Sequence, residues 1–146
     1  MLLLSPFLIM TNLLLSCYAY YVELQANRAQ RYGDTYRAYC DVGMFSCTRV
    51  FTSEYRSISR LVGLPEVSNA LLGIAFYMIE LMACRCSLLL LWLSACSCVL
   101  SVVLLFVLVF ILKDLCVVCC SMYAINFITF ALAVRWRSQT GRVHVD

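Results

Sequence analysis

The residues best suited to chemistry are Cys116 and Cys119, in the run Lys113-Asp114-Leu115-Cys116-Val117-Val118-Cys119-Cys120-Ser121-Met122-Tyr123-Ala124-Ile125-Asn126. At this spacing two cysteines share one face of a helix and lie within bridging reach. They follow a charged pair and open an apolar segment, so they fall in a first turn. There, backbone N–H groups without helical partners and the helix dipole favour a thiolate. Such a dithiol is a redox pair at the mouth of a membrane helix. Tyr123 and Asn126 lie on the same face as Cys119. An O–H donor beside a thiolate is well placed to stabilise negative charge developing on a carbonyl oxygen. A second pair, Cys40 and Cys47, encloses Asp41-Val42-Gly43-Met44-Phe45-Ser46, whose glycine permits a turn.

The elements that position these residues are those of a membrane protein. Of 146 residues, 64% are hydrophobic and 13% charged, against about half and a quarter in soluble domains. The length suits one small bundle. A net charge of +3, scattered along the chain, gives no footprint for nucleic acid. There is no internal repeat, phosphate-binding glycine loop or dinucleotide fingerprint. The single histidine, His144, lies in the polar tail and argues against a histidine-based metal or general-base site. Ten cysteines would imply a disulfide framework in a secreted protein, but most lie inside apolar runs.

Four spans are expected, over about residues 2–22, 68–84, 87–112 and 115–135, with a polar loop over 23–66 and a tail over 136–146. The first apolar segment also invites reading as a cleaved signal peptide. It has no basic residue ahead of it and no small-x-small cleavage site, which favours a retained helix. Within the loop, Phe51, Tyr55, Ile58 and Val62 make an apolar stripe opposite Arg49, Arg56 and Arg60. A helix of that kind lies on a membrane surface and can roof a pocket, or simply packs on its own bundle. Ser68-Asn69 starts the second span, where Asn69, Gly73, Phe76 and Glu80 share a face. Glu80 lies about 16 Å along the helix from Asn69 and reads as a polar-network residue rather than a catalytic acid. Cys17, Cys96, Cys98 and Cys120 read as packing residues, and Cys84 and Cys86 as inert.

In a four-span chain the first and third connections face the same compartment. Cys40/Cys47 and Cys116/Cys119 therefore meet on one side, as an electron relay by thiol–disulfide exchange requires. Arg85, Arg135, Arg137 and Arg142 place the other side, with both termini, in the cytoplasm. The cysteine pairs then face an oxidising lumen or periplasm.

Taken together, Leu15-Ser16-Cys17-Tyr18-Ala19, Tyr36-Arg37-Ala38-Tyr39-Cys40-Asp41-Val42-Gly43, Ser46-Cys47-Thr48-Arg49-Val50-Phe51, Ser68-Asn69, Phe76-Tyr77 and Cys116-Val117-Val118-Cys119 with Tyr123-Ala124-Ile125-Asn126 resemble the vitamin K epoxide reductases of the animal, endoplasmic-reticulum type. The resemblance implies an all-α membrane protein. Four transmembrane helices would form a bundle whose luminal loop caps a quinone pocket. It implies Cys119 as the thiolate that attacks vitamin K epoxide or quinone, with Cys116 as its resolving partner. Cys40 and Cys47 would carry electrons from a luminal thioredoxin-like oxidoreductase, Cys47 passing them to Cys116 through a mixed disulfide. Asn69 and Tyr123 would bond the two ring oxygens, with Phe51, Tyr55, Leu72 and Phe76 as apolar walls. No tightly bound cofactor or metal is implied, and inhibitors of the 4-hydroxycoumarin type are. The chain departs from the pattern in a shorter Cys40–Cys47 interval, a longer segment before Cys40, and the extra Cys120.

Three other readings compete. A quinone-dependent oxidase of thioredoxin-like proteins uses the same machinery in reverse. A structural four-span protein with a static loop disulfide gives no reason for the Cys-x-x-Cys pair and its Tyr and Asn. A zinc site of Cys40, Cys47, Cys116 and Cys119 has the right ligand number, but an oxidising compartment argues against it.

Overall fold

The computed structural model describes residues 4–43, 45–53, 57 and 67–143, with side chains up to residue 139. Among the described residues there are five α-helices: α1 Leu4–Tyr32, α2 Cys47–Thr52, α3 Asn69–Ala83, α4 Ser87–Phe106 and α5 Val117–Val143. A π-helical stretch, Val107–Leu112, continues α4.

Helix α1 forms because its apolar residues are joined beyond Val22 by Glu, Leu, Gln, Ala and Arg, all good helix formers. It therefore runs on to Tyr32, past the expected end of the first span near residue 22. Gly33 stops it at a φ of +73°, and the Asp34 N–H bonds back to the Ala29 carbonyl at 2.9 Å. Of its buried residues all but Val22, namely Ser5, Ile9, Asn12, Ser16, Ala19, Glu23 and Ala26, alternate steps of four and three. That period keeps one stripe facing neighbouring helices. Helix α1 packs on α3, α5 and α2, while α4 packs on α5.

Helix α3 starts where the Ser68 side chain accepts the Ala70 N–H, an N-cap that satisfies an orphan donor. Its 15 residues reach about 22 Å. Among the described residues three helices are long and apolar enough to cross a membrane, Leu4–Tyr32, Ser87–Leu112 and Val117–Gln139, and α3 is a shorter apolar helix. Helix α5 continues as helix to Val143, so much of the expected tail is helical. The stretch expected to form a capping helix is seen only in α2 and at Ser53 and Ser57, and Tyr55, Ile58 and Val62 lie outside the described residues.

The crossing of α1 and α3 is close at Gly73. A Cβ there would sit 2.9 Å from Ser16 Oγ but 3.7 Å from Ser16 Cβ. Gly73→Ala should therefore destabilise the protein by about 1–3 kcal/mol through overpacking. Adding Ser16→Ala, which removes the clashing oxygen, should restore most of that loss. Thermal unfolding of the single and double variants in detergent checks both.

Candidate active site

The thiol chemistry is assembled by pinning α2 against the segment that leads into α5. Phe45 and Leu115 form an isolated parallel bridge, and the Ser46 N–H donates to the Leu115 carbonyl at 2.9 Å. Arg49 pairs with Asp114 at 3.4 Å at the surface. Asp41 closes the loop on itself, taking the Thr48 N–H at 2.9 Å and the Thr48 hydroxyl at 2.6 Å. Cys47, the first residue of α2, thereby meets Cys116, the last before α5.

The two sulfurs lie 3.2 Å apart, and neither residue has exposed surface. A disulfide is about 2.05 Å long, so a small closure would join them. All ten cysteines are unbonded. On one side, the Cys47 thiol donates to the Cys40 carbonyl at 3.6 Å, and the two sulfurs lie within 4.8 Å of each other. On the other, the Cys119 N–H donates to the Cys116 sulfur at 3.4 Å. The Cys47–Cys116 contact thus stands between Cys40 in the loop and Cys119 on α5. Burial, with Cys47 as a neighbour, pushes the Cys40 thiol up to about 12. The bond to Cys116, then burial, pushes the Cys47 thiol up as well. Both are held as neutral thiols at neutral pH. Cys40, Asp41 and Cys47 present ligand atoms within 4.8 Å of one another, with both Asp41 oxygens already accepting from Thr48.

Cys119 opens onto a mostly apolar cavity of about 100 Å³. Ala19 and Glu23 of α1, Val50 and Phe51 of α2, Asn69 and Ala70 of α3, and Cys119, Met122 and Tyr123 of α5 line it. Leu104, Val107, Leu108 and Leu112 supply the remaining apolar wall. Of the expected pocket residues, the structure brings Cys119, Asn69, Tyr123 and Phe51 together. Leu72 is not in the lining and is 46% exposed. Phe76 lies about two turns below Asn69, edge-on to Tyr77 in a second apolar cluster. Tyr55 lies outside the described residues.

Asn126 does not line the cavity either, although it shares a face with Cys119. It is buried, taking Asn12 Nδ2 at 2.7 Å, donating to Ser101 Oγ at 2.8 Å and exchanging bonds with the Tyr77 hydroxyl at about 3.1–3.2 Å. Cys98 adds a thiol bond to the Asn126 carbonyl at 3.5 Å. Cys120 packs against the apolar cluster around Cys47 and Cys116.

Glu23 is the lining residue that the sequence did not flag. Counted with the charged loop, it is instead only 6% exposed and hydrogen-bonded by the Ser68 hydroxyl. The available signal was the α1 stripe, in which Ser5, Asn12, Ser16 and Glu23 keep the spacing of a buried face.

Residues 4–134 match the profile of the Vitamin K epoxide reductase family. The chain belongs to this family. It is 39% identical over 132 residues to vitamin K epoxide reductase complex subunit 1 of Mus musculus, covering 82% of this chain and 80% of that protein. The Rattus norvegicus protein of the same name is 38% identical over the same shares. Membership makes the chain an oxidoreductase, and with its long apolar helices a multi-pass membrane protein.

Since burial holds Cys40 as a thiol, its alkylation by iodoacetamide in the reduced protein should rise about tenfold per pH unit and keep rising past about pH 9. A free cysteine levels off near its own pKa of about 8.5. Mass spectrometry of the Cys40 peptide across pH reads this directly.

Proposed function

We propose that this enzyme reduces vitamin K 2,3-epoxide to the quinone, and the quinone to the hydroquinone, at the expense of protein dithiols. The observation that carries the reading is the 3.2 Å contact of the Cys47 and Cys116 sulfurs, with Cys40 beside the first and Cys119 beside the second, next to an apolar cavity with Cys119, Asn69 and Tyr123 in its wall. The names of the mouse and rat relatives supply the substrate.

In this reading Cys40 and Cys47 take electrons from a luminal thioredoxin-like protein. Cys47 attacks Cys116 in the Cys116–Cys119 disulfide, forming a Cys47–Cys116 disulfide and releasing Cys119 as thiolate. Cys40 then attacks Cys47, freeing Cys116 and closing the loop disulfide. With Cys116 and Cys119 reduced, the Cys119 thiolate attacks the substrate, and Cys116 attacks Cys119 to expel the reduced product. Each turn converts two thiols to one disulfide and delivers two electrons and two protons. The epoxide oxygen leaves as water, or the quinone becomes hydroquinone. Asn69 and Tyr123 hold the two ring oxygens, Tyr123 as an O–H donor where charge develops. Phe51 packs against the ring. The same slot suits flat 4-hydroxycoumarin inhibitors.

The bundle is read as four spans in the endoplasmic reticulum membrane, with α3 as the second, both termini cytoplasmic and the loop cysteines luminal as a cap. No tightly bound cofactor is required, since the substrate and the protein dithiol carry the electrons.

Cys119→Ser should abolish dithiothreitol-driven reduction of vitamin K epoxide in membranes, and full activity would sink the mechanism. Changing Cys40 or Cys47 should spare turnover with dithiothreitol more than turnover with a protein dithiol. Equal losses with both reductants would make the loop pair structural. Running the assay with epoxide and with quinone separates the two half-reactions.

A further inference from the structure

Glu80 is 1% exposed, yet its Oε1 has no hydrogen-bond partner. A carboxyl group in the interior of a membrane bundle is costly and normally partnered or functional. Its surroundings are built in register. The Tyr77 hydroxyl meets the Asn126 side chain across α3 and α5. Three residues further along each helix, in the same direction, come Glu80 and Thr129. Thr129 is 2% exposed, and its Oγ1 also lacks a partner. Two orphan oxygens thus sit one turn below a made hydrogen bond, an arrangement suited to a buried water or a carried proton.

The Tyr77 end of this arrangement lies toward the thiols, since its partner Asn126 is seven residues after Cys119 on α5. Tyr77 is within electrostatic reach of Glu80, Cys98 and Cys119, and Tyr123 is within reach of Tyr77. The titratable groups that face Glu80 are Tyr77 on its own helix and Cys98 on α4. At this level α1 and α5 contribute Asn12, Asn126 and Thr129, which do not titrate.

We propose that Glu80, completed by Thr129 and linked through Tyr77 and Asn126, is a buried proton-holding site that serves the Cys116/Cys119 dithiol. The inference rests on the thiol–quinone chemistry proposed above. As Cys119 becomes a thiolate, its S–H bond breaks and an O–H bond forms on the Glu80 carboxylate, with no electron moved. The thiolate then adds to a quinone carbon, and negative charge passes to a ring oxygen. Attack of the Cys116 sulfur on Cys119 forms the S–S bond and breaks the C–S bond, leaving the electron pair on the ring. The two ring oxygens receive two protons, one returned by Glu80 and one lost by Cys116.

The test is an infrared difference spectrum of the full-length protein in lipid nanodiscs, dithiothreitol-reduced minus oxidised, with no quinone present. Reduction should raise a protonated-carboxyl band that shifts in deuterium oxide, disappears in Glu80→Gln and returns displaced in Glu80→Asp. Glu80→Gln should also slow dithiothreitol-driven quinone reduction by about tenfold or more and move its pH optimum upward, as loss of a proton acceptor does. Absence of any redox-linked carboxyl band in the wild type overturns the proposal, and needs no variant to fold. The same band persisting in Glu80→Gln overturns it too. A band that follows the thiols in a protein that reduces no quinone would leave Glu80 as their proton partner while the proposed substrate falls.

Discussion

Two sulfurs that belong to segments 69 residues apart are held within 3.2 Å of each other, and most of the site is a consequence. Cys47 is useful only if α2 cannot drift from the mouth of α5. Three independent ties secure it: a backbone bridge, a surface ion pair and the Asp41–Thr48 closure of the loop. The ion pair is exposed and adds little by itself. The bridge fixes register, because it sets Cys47, two residues after Phe45, against Cys116, the residue after Leu115. The same placement sets Val50 and Phe51 of α2 over the cavity beside Cys119.

Much of this was legible in the sequence. Both cysteine pairs, the Ser68 cap and the place of Tyr123 beside Cys119 follow from local spacing and turn chemistry, while Asn69 at the cavity came from the family resemblance. The length of α1 was obscured because charged residues past Val22 read as a solvated loop, although nearly all of them favour helix. Asn126 and Phe76 were assigned to the cavity side because a shared helical face gives direction but not depth. Each lies about two turns below the chemistry, where other side chains take it up. Glu23 was hidden for a related reason: its burial depends on Ser68, far away in the chain, and no local pattern reports such a partner.

The interior is unusually polar for a bundle with so apolar an exterior. Trp92, Phe106 and Phe110 point outward, while Asn12, Ser16, Glu80, Ser94, Ser101 and Asn126 are buried. In lipid, apolar surface gains nothing by turning inward, so helices are joined by small residues and side-chain hydrogen bonds. The Gly73–Ser16 crossing and the Asn12–Asn126–Ser101 bonds are of this kind. Bundle cohesion and the wiring behind the thiols therefore draw on the same side chains.

The complete burial of Cys47 and Cys116 insulates them electrically from their surroundings. Glutathione, bulky and charged, has no surface there to attack, so the ambient thiol pool cannot set their poise directly. In the proposed relay electrons would pass at the half-buried Cys40, where a docked protein could present its own sulfur, or at Cys119 from within the cavity. On that proposal the identity of the docked protein, rather than the bulk potential of the compartment, would determine how often the inner pair is recharged.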